Sequence, residues 1–148
     1  MKIVVVSDTH GDCLSLQKVY LKEQNAAIFL HAGDSEAPNE EIAPFVGVLG
    51  NCDCFFSSYP KFRKINTPYG YLWIQHHPVS SATKFEELEK EGVKILIHGH
   101  THRKNVEKIG NLYVFCPGSL LYPRDSDIGS YLVLDVDEVQ IQYQFKTL

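Results

Sequence analysis

Short apolar runs alternate with a helical pattern over the first fifty residues. The runs Lys2–Ser7, Ala26–His31 and Phe45–Leu49 are rich in β-branched or other apolar residues and predict buried strands. Leu14–Glu23 carries apolar residues at roughly helical spacing and predicts a helix between the first two strands. With a short helix before the third strand, this order is typical of a parallel α/β arrangement.

The pattern continues to residue 97. Tyr69–Gln75 predicts a fourth strand and Val93–Ile97 a fifth. Between them, Thr83–Glu91 predicts a helix that Thr83 caps, with Glu86 at the third position and Gly92 after the end.

The last third of the chain has a different pattern. Asn111–Phe115, Ser130–Val136 and Val139–Phe145 alternate between apolar and polar residues, with turn residues between them. Alternation of this kind favours antiparallel strands, here in a second sheet. We therefore expect an α/β (α+β-like) four-layer sandwich: two mixed β-sheets packed face to face, flanked by helices, in a single domain of residues 1–148.

Charge and the N-terminal sequence exclude two classes of partner. The net charge is −4 and no basic block is present, which argues against stable nucleic-acid binding through phosphate neutralisation but leaves a nucleotide-sized substrate possible. The N-terminal apolar run Ile3–Val6 is too short for a signal-peptide core or a membrane span, so we expect a cytoplasmic protein with no membrane partner.

The four cysteines predict little chemistry. They are Cys13, Cys52, Cys54 and Cys116. Without a secretory signal we expect reduced thiols, and with only one close pair we expect no four-thiolate zinc site. Cys54 is expected to be a packing residue.

Side chains that can bind metals follow the end of every strand in the first hundred residues. In chain order they are Asp8 and His10, then Asp34, Asn51 and Asp53, then His76 and His77, then His98, His100 and His102. Since ligands bind outside the carboxyl ends of strands in open α/β sheets, five strand ends would bring these groups together. All seven histidines of the chain lie near these ends.

Carboxylate, imidazole and amide groups together suit Mn²⁺, Fe²⁺, Zn²⁺ or Ni²⁺. Their number exceeds the need of one tetrahedral zinc and predicts two ions that share a carboxylate, an arrangement typical of phosphate-ester hydrolysis. Several residues at these strand ends also have structural explanations. Asp8 is equally consistent with a helix cap, His31 and His98 with hydrogen-bonded core residues, and Gly33 and Gly50 with tight turns.

Four motifs, "SDTHG", "HAGDSE", "LGNCD" and "IHGHTH", carry a resemblance in their order and spacing. The chain resembles the calcineurin-like metallophosphoesterase superfamily over about residues 2–124. Its small size and the segment "CPGSLLYPR" are similar to the compact bacterial and archaeal phosphodiesterase branch.

The resemblance implies two divalent ions per chain, with Mn²⁺ expected first and Fe, Ni or Zn as alternatives. Asp8, His10 and His102 would hold one ion, and Asn51, His76 and His100 the other. Asp34 would bridge them. A metal-bridging hydroxide would attack phosphorus, and Asn51 would serve catalysis through its carbonyl oxygen.

Three departures from the family pattern concern residues near these positions. Cys52 stands where many relatives have a histidine that assists the leaving group. His76, His77 and Pro78 stand where a His-Gly-His motif is common; we align His76 with the ligand, although His77 is an alternative ligand and could instead contact substrate. "CPGS" replaces Asn-Pro-Gly-Ser, and Arg124 just beyond it could contact a phosphate or lie in solvent.

The leading hypothesis is therefore a metal-dependent phosphodiesterase acting on a small phosphodiester or a nucleotide-like substrate. One alternative is a protein-interaction scaffold of the same fold, as in the retromer subunit, and another is a phosphomonoesterase. All seven ligand positions hold competent residues, which favours the enzyme. A homo-oligomer is left open.

Overall fold

The computed structural model describes residues 1–55 and 58–148, and its strands form two five-stranded sheets. The elements are β1 (Lys2–Val6), α1 (Cys13–Lys22), β2 (Ile28–His31), α2 (Asn39–Ile42), β3 (Phe45–Gly47), β4 (Phe62–Thr67), β5 (Gly70–Gln75), α3 (Ala82–Lys90), β6 (Val93–Ile97), β7 (Lys104–Ile109), β8 (Leu112–Pro117), β9 (Ser130–Val136) and β10 (Ile141–Thr147).

Both sheets are mixed, as the sequence predicts. The first has the order β10-β9-β1-β2-β3, in which β1, β2 and β3 are parallel and β9 and β10 are antiparallel. The second has the order β4-β5-β6-β8-β7, in which β5, β6 and β8 are parallel and the two edge strands are antiparallel. Each sheet thus has three neighbouring parallel strands, whose carboxyl ends lie on the same side.

Three apolar clusters lie between the layers of the fold. The central cluster packs residues of the first sheet, such as Val5 and Leu30, against residues of the second, such as Ile74 and Phe115. A second cluster covers the outer face of the first sheet with residues of α1 and α2, Leu16 among them. A third lies under α3 on the outer face of the second sheet. The predicted sandwich of two sheets flanked by helices is confirmed.

The prediction was wrong about the sheets to which the C-terminal strands belong. β8 joins the second sheet beside β6, whereas β9 and β10 extend the first sheet beyond β1. The edge strands β4 and β7 were not predicted at all. Their sequences, FRKINT and KNVEKI, carry charged residues on exposed positions, and only backbone pairing with a buried neighbour makes them strands.

The cap of α3 also differs from the prediction. Ser81, not Thr83, is the N-cap: its backbone is extended and its side chain accepts a hydrogen bond from the amide of Lys84. Thr83 lies within the first helical turn. No described helix has the length and apolar character that a membrane span requires.

Candidate metal centre

The loops that follow β1, β2, β3, β5 and β6 carry all seven predicted metal ligands. Six described non-glycine residues have a positive φ, and five of them are predicted ligands: Asp8, His10, Asp34, His100 and His102. Such backbone conformations cost energy and cluster at functional sites. The sixth residue is Glu36, which the sequence analysis did not single out.

Asp8, His10 and His102 form the first group, with one ligand atom from each within 4.8 Å of the others. Asp8 is fully buried. Its Oδ2 accepts hydrogen bonds from the Ser7 hydroxyl at 2.5 Å and from the His100 amide at 3.1 Å. Its Oδ1 is buried without a hydrogen-bond partner among the described residues. One oxygen of this carboxylate is therefore saturated, and the other is left for a ligand.

His102 presents a lone pair to that same oxygen. Its Nδ1–H donates to the carbonyl oxygen of Tyr122 at 2.7 Å, so in the neutral ring Nε2 carries no proton. Nε2 lies 3.1 Å from Oδ1 of Asp8. With the ring neutral, these two acceptors repel each other unless a cation lies beside both, and the arrangement fits a metal ion.

His10 is oriented by a carboxylate. Its Nδ1–H donates to Oε1 of Glu36 at 2.5 Å, which leaves Nε2 as the ligand atom. A carboxylate that holds the second ring nitrogen of a histidine is a common partner of metal-binding imidazoles. Glu36 is the functional residue that sequence reasoning missed; its place two positions after Asp34 in "HAGDSE" was the available signal.

Asn51, His76 and His100 form the second group. Oδ1 of Asn51 lies 2.9 Å from Nε2 of His76 and 3.1 Å from Nδ1 of His100. Nδ1–H of His76 donates to the carbonyl oxygen of Ala32 at 2.7 Å, so in the neutral ring Nε2 carries a lone pair. When both ring nitrogens are unprotonated, the three atoms converge as metal ligands do.

Asp34 lies between the two groups. Its ligand atom is within 4.8 Å of those of Asp8 and His76, and its Oδ1 accepts the Cys52 amide at 2.8 Å. Burial raises the pKa of Asp34, but hydrogen bonds from the protonated ring of His76 and from the Cys52 amide outweigh it and lower the pKa to about 2. This carboxylate is therefore charged at neutral pH, as a bridging ligand must be.

The surroundings of His76 favour positive charge. Burial lowers its pKa, but the hydrogen bonds to Asp34 and Ala32 and the charges of Asp34 and Asp8 raise it above its ordinary value. A buried position that stabilises an imidazolium also stabilises a metal cation. On this ground, and on the unpartnered Oδ1 of Asp8, the residues fit divalent ions.

Asp53, which the sequence offers only as a side chain able to bind metal, braces the ligand loops. It is fully buried, and instead of joining a metal-ligand group its two oxygens accept the amides of Asp34, Glu36 and Gly50, each at 2.8 Å. The side chain thus ties the loop after β3 to the loop after β2. Its role is to hold the backbone of the ligand loops.

Gly50 is required for close approach, not for a tight turn. Its φ is not positive, and a Cβ there would lie 2.0 Å from Oδ1 of Asp34. Gly33 does have a positive φ, of 97°, as a turn requires.

The remaining histidines and cysteines divide into core and surface. His31 and His98 are buried and hydrogen-bonded, as predicted; burial lowers the pKa of His31 to about 3, and its Nε2 lies 2.9 Å from the Thr9 hydroxyl. Cys116 is buried, whereas Cys54 is exposed, which contradicts the packing role predicted for it.

Two clefts flank the ligand groups. One has a volume of about 650 Å³ and includes His76 and His77 in its wall. The other, of about 570 Å³, is lined by His10, His102, Tyr122, Pro123 and Arg124. His77 is exposed at the rim, and one of its ring nitrogens lies within 4.8 Å of ligand atoms of His76 and His100, so the alternative that His77 is a ligand stays open. Arg124 is exposed and its amide donates to the His102 carbonyl at 2.9 Å.

This combination of sandwich and site defines a metallophosphoesterase. The chain belongs to the calcineurin-like phosphoesterase superfamily, whose domain matches residues 1–139. It is 29% identical over 148 residues to the probable metallophosphoesterase YsnB of Bacillus subtilis. That alignment covers 93% of this chain and 85% of the relative. It is 24% identical over 169 residues to the phosphodiesterase YfcE of Escherichia coli, in an alignment that covers 95% of this chain and 91% of the relative.

Solved structures agree on the fold. A Streptococcus pneumoniae protein described as a predicted phosphoesterase superposes with a TM-score of 0.84 at 25% identity, covering 99% of this chain and 88% of that one. Vps29 of Entamoeba histolytica, solved with zinc, superposes with a TM-score of 0.73 at 18% identity, covering 100% of this chain and 98% of that one. At that identity the likeness shows the fold alone.

Proposed function

We propose that the protein is a phosphodiesterase that depends on two divalent ions, with Mn²⁺ the first candidate. Asp8, His10 and His102 would hold one ion. Asn51, His76 and His100 would hold the other, with Asp34 shared between them. The observation that carries the proposal is the buried Oδ1 of Asp8, which has no hydrogen-bond partner among the described residues and lies 3.1 Å from Nε2 of His102.

Bound divalent ions would supply an activated water as nucleophile and would neutralise charge on the phosphoryl oxygens. The chain itself fixes the donor atoms. Hydrogen bonds to Ala32, Tyr122 and Glu36 set the tautomer of three histidines, and the Cys52 amide orients Asp34. Such preorganisation reduces the cost of binding both ions and substrate.

The two clefts support a diester as substrate. A phosphodiester has two organic substituents, and open space lies on both sides of the ligand groups. In the cleft beside His10, the exposed Arg124 is proposed to contact a phosphoryl oxygen, for which its planar guanidinium is suited. In the other, His77 is proposed to contact substrate rather than metal, because His76 already accounts for the buried ligand position.

Cys52 bears on which leaving groups the site can expel. Local desolvation and the charges of Asp34, Glu36 and Asp53 raise the pKa of its thiol to about 11. The side chain therefore stays a protonated thiol, a weak donor to a leaving group. A site without a strong acid is best suited to esters whose leaving group is stable as an anion.

The scaffold alternative is less well supported. A protein that has only to present a surface to partners does not need five predicted metal ligands held close together in strained backbone conformations.

A panel of phosphoesters tests the proposal. Chelator-treated protein reloaded with Mn²⁺ should hydrolyse bis(4-nitrophenyl) phosphate with a higher kcat/KM than 4-nitrophenyl phosphate, the matched monoester. Preference for the monoester would favour the phosphomonoesterase reading. Absence of hydrolysis of either ester, with two ions bound, would favour the scaffold.

A further inference from the structure

The cleft beside His76 extends well beyond the predicted ligands. Asn51 and His76 line this space of about 650 Å³, and Lys61, Phe62, Trp73 and Lys84 are among the residues that line it with them. A substituent of a phosphoester bound at the ligand groups can therefore reach these four side chains without leaving the cleft.

An aromatic platform lies in this cleft. The rings of Phe62 on β4 and Trp73 on β5 stack with centroids 4.0 Å apart and planes at 9°. Trp73 is 7% exposed, whereas Phe62 is 48% exposed although the stack covers one of its faces. The free face of Phe62 is thus available to stack a planar ring.

Positive charge accompanies the platform. The ammonium group of Lys84 lies 5.0 Å from the centroid of the Trp73 ring, and its pairing with Glu87 is a loose surface contact at 4.0 Å. Lys61 is exposed and precedes Phe62 directly. In a chain of net charge −4, two lysines beside one stacked aromatic pair give this cleft a local preference for anions.

We propose that the cleft is a subsite for an ester substituent that contains a planar ring and a second negative charge, the combination present in a nucleotide carrying two phosphates. The ring stacks on Phe62, and the second phosphate lies near Lys61 and Lys84. This inference rests on the proposed function for the position of the first phosphate, at the ligand groups.

Three ligands separate the contributions in the Mn²⁺-loaded protein. Ribose 5-phosphate has neither ring nor second charge, AMP adds the ring, and adenosine 3′,5′-bisphosphate adds the second phosphate. Calorimetric Kd values should fall in that order. Trp73 is the single tryptophan of the chain, so quenching of its fluorescence by AMP and the bisphosphate reports binding in this cleft.

Substitutions then show which side chains account for each gain in affinity. Phe62→Leu keeps an apolar side chain but removes the ring, and should abolish the advantage of AMP over ribose 5-phosphate, expected to be about fivefold or more. Lys61→Gln with Lys84→Gln should abolish the advantage of the bisphosphate over AMP. Tyr71→Ala is the control, because Tyr71 is an exposed ring on the same hairpin, 4.3 Å from the ammonium of Lys64 and outside the cleft.

Equal Kd values for the three ligands, or an effect of Tyr71→Ala as large as that of Phe62→Leu, would overturn the subsite. Failure of the subsite is distinguishable from failure of the proposed function. If bis(4-nitrophenyl) phosphate is hydrolysed but the three ligands bind equally, only the subsite is wrong. If the Kd order and the Trp73 quenching hold but no ester is hydrolysed, only the proposed function is wrong.

Discussion

Three adjacent residues, Asn51, Cys52 and Asp53, have three different tasks. Asn51 directs its carbonyl oxygen to two histidine rings, Cys52 donates its amide to Asp34, and Asp53 accepts three amides of the ligand loops. Only the first of these tasks, and only through family resemblance, was predicted. Amide donation and backbone bracing depend on which loops meet in space, and the sequence around these residues does not show that.

The side chain of Cys52 should be dispensable. Because its thiol remains protonated and is a weak donor, Cys52→Ala should lower kcat/KM on bis(4-nitrophenyl) phosphate by less than about tenfold, or 1.4 kcal/mol. Asn51→Ala should lower it far more, because a predicted metal ligand is lost. Cys52→His should gain activity on alkyl esters if the ring fits. If Cys52→Ala proves as damaging as Asn51→Ala with both ions bound, the thiol acts in catalysis.

Glu36 should control metal affinity. Removing the carboxylate that holds Nδ1 of His10 in Glu36→Ala should weaken Mn²⁺ binding by about 10- to 100-fold, whereas Glu36→Gln, which can still accept the hydrogen bond, should lose less. Competition with a chromophoric chelator measures the affinity, and thermal unfolding of the metal-free proteins controls for folding. Unchanged affinity in Glu36→Ala would show that His10 needs no such partner.

At the scale of elements, buried strands were predictable and edge strands were not. The strands β1, β2, β5 and β6 are nearly continuous apolar runs because helices and sheet cover both of their faces. Edge strands such as β4 have an exposed face and a polar sequence. Sheet membership of the last strands depends on long-range pairing, such as that of β9 with β1, which local pattern does not encode.

Glu23, which ends α1, joins that helix to the first sheet. The carboxylate is 3% exposed and contacts the ammonium groups of Lys2 on β1 at 2.8 Å and of Lys146 on β10 at 2.7 Å. It also accepts the Tyr131 hydroxyl at 2.9 Å. Burial raises the pKa of Glu23, but these hydrogen bonds outweigh it and lower the pKa from 4.5 to about 2.

Stability should therefore depend on pH through this residue. A lowered pKa means that the carboxylate stabilises the fold above about pH 4.5, and that this contribution is lost as pH falls toward 2. Glu23→Gln should lower the free energy of unfolding by about 3 kcal/mol at pH 7, and by clearly less at pH 3. Denaturant unfolding at both pH values measures the difference.

The control is Glu91→Gln. Glu91 pairs with Lys64 at 3.6 Å on the surface and is 52% exposed, so its loss should cost less than about 1 kcal/mol. Equal losses for Glu23→Gln at pH 7 and pH 3 would show that packing, not charge, accounts for its effect.

At the scale of the whole molecule, the candidate site joins the two sheets. The loops of the first sheet carry Asp8, His10, Asp34 and Asn51, and those of the second carry the other three predicted ligands. Both sheets also share the central apolar cluster. Ions bound at this junction would stabilise the folded state by mass action, because the unfolded chain does not hold the ligands together.

The central claim is that two ions held by these side chains are needed for hydrolysis, and a metal titration tests it most directly. Chelator-stripped protein is titrated with Mn²⁺, and bound metal per chain and hydrolysis of bis(4-nitrophenyl) phosphate are measured on the same samples. The account predicts no activity in stripped protein, activity that rises until two ions are bound per chain, and loss of both ions in Asp34→Asn. Hydrolysis that persists in excess chelator, with metal content confirmed near zero, would contradict it.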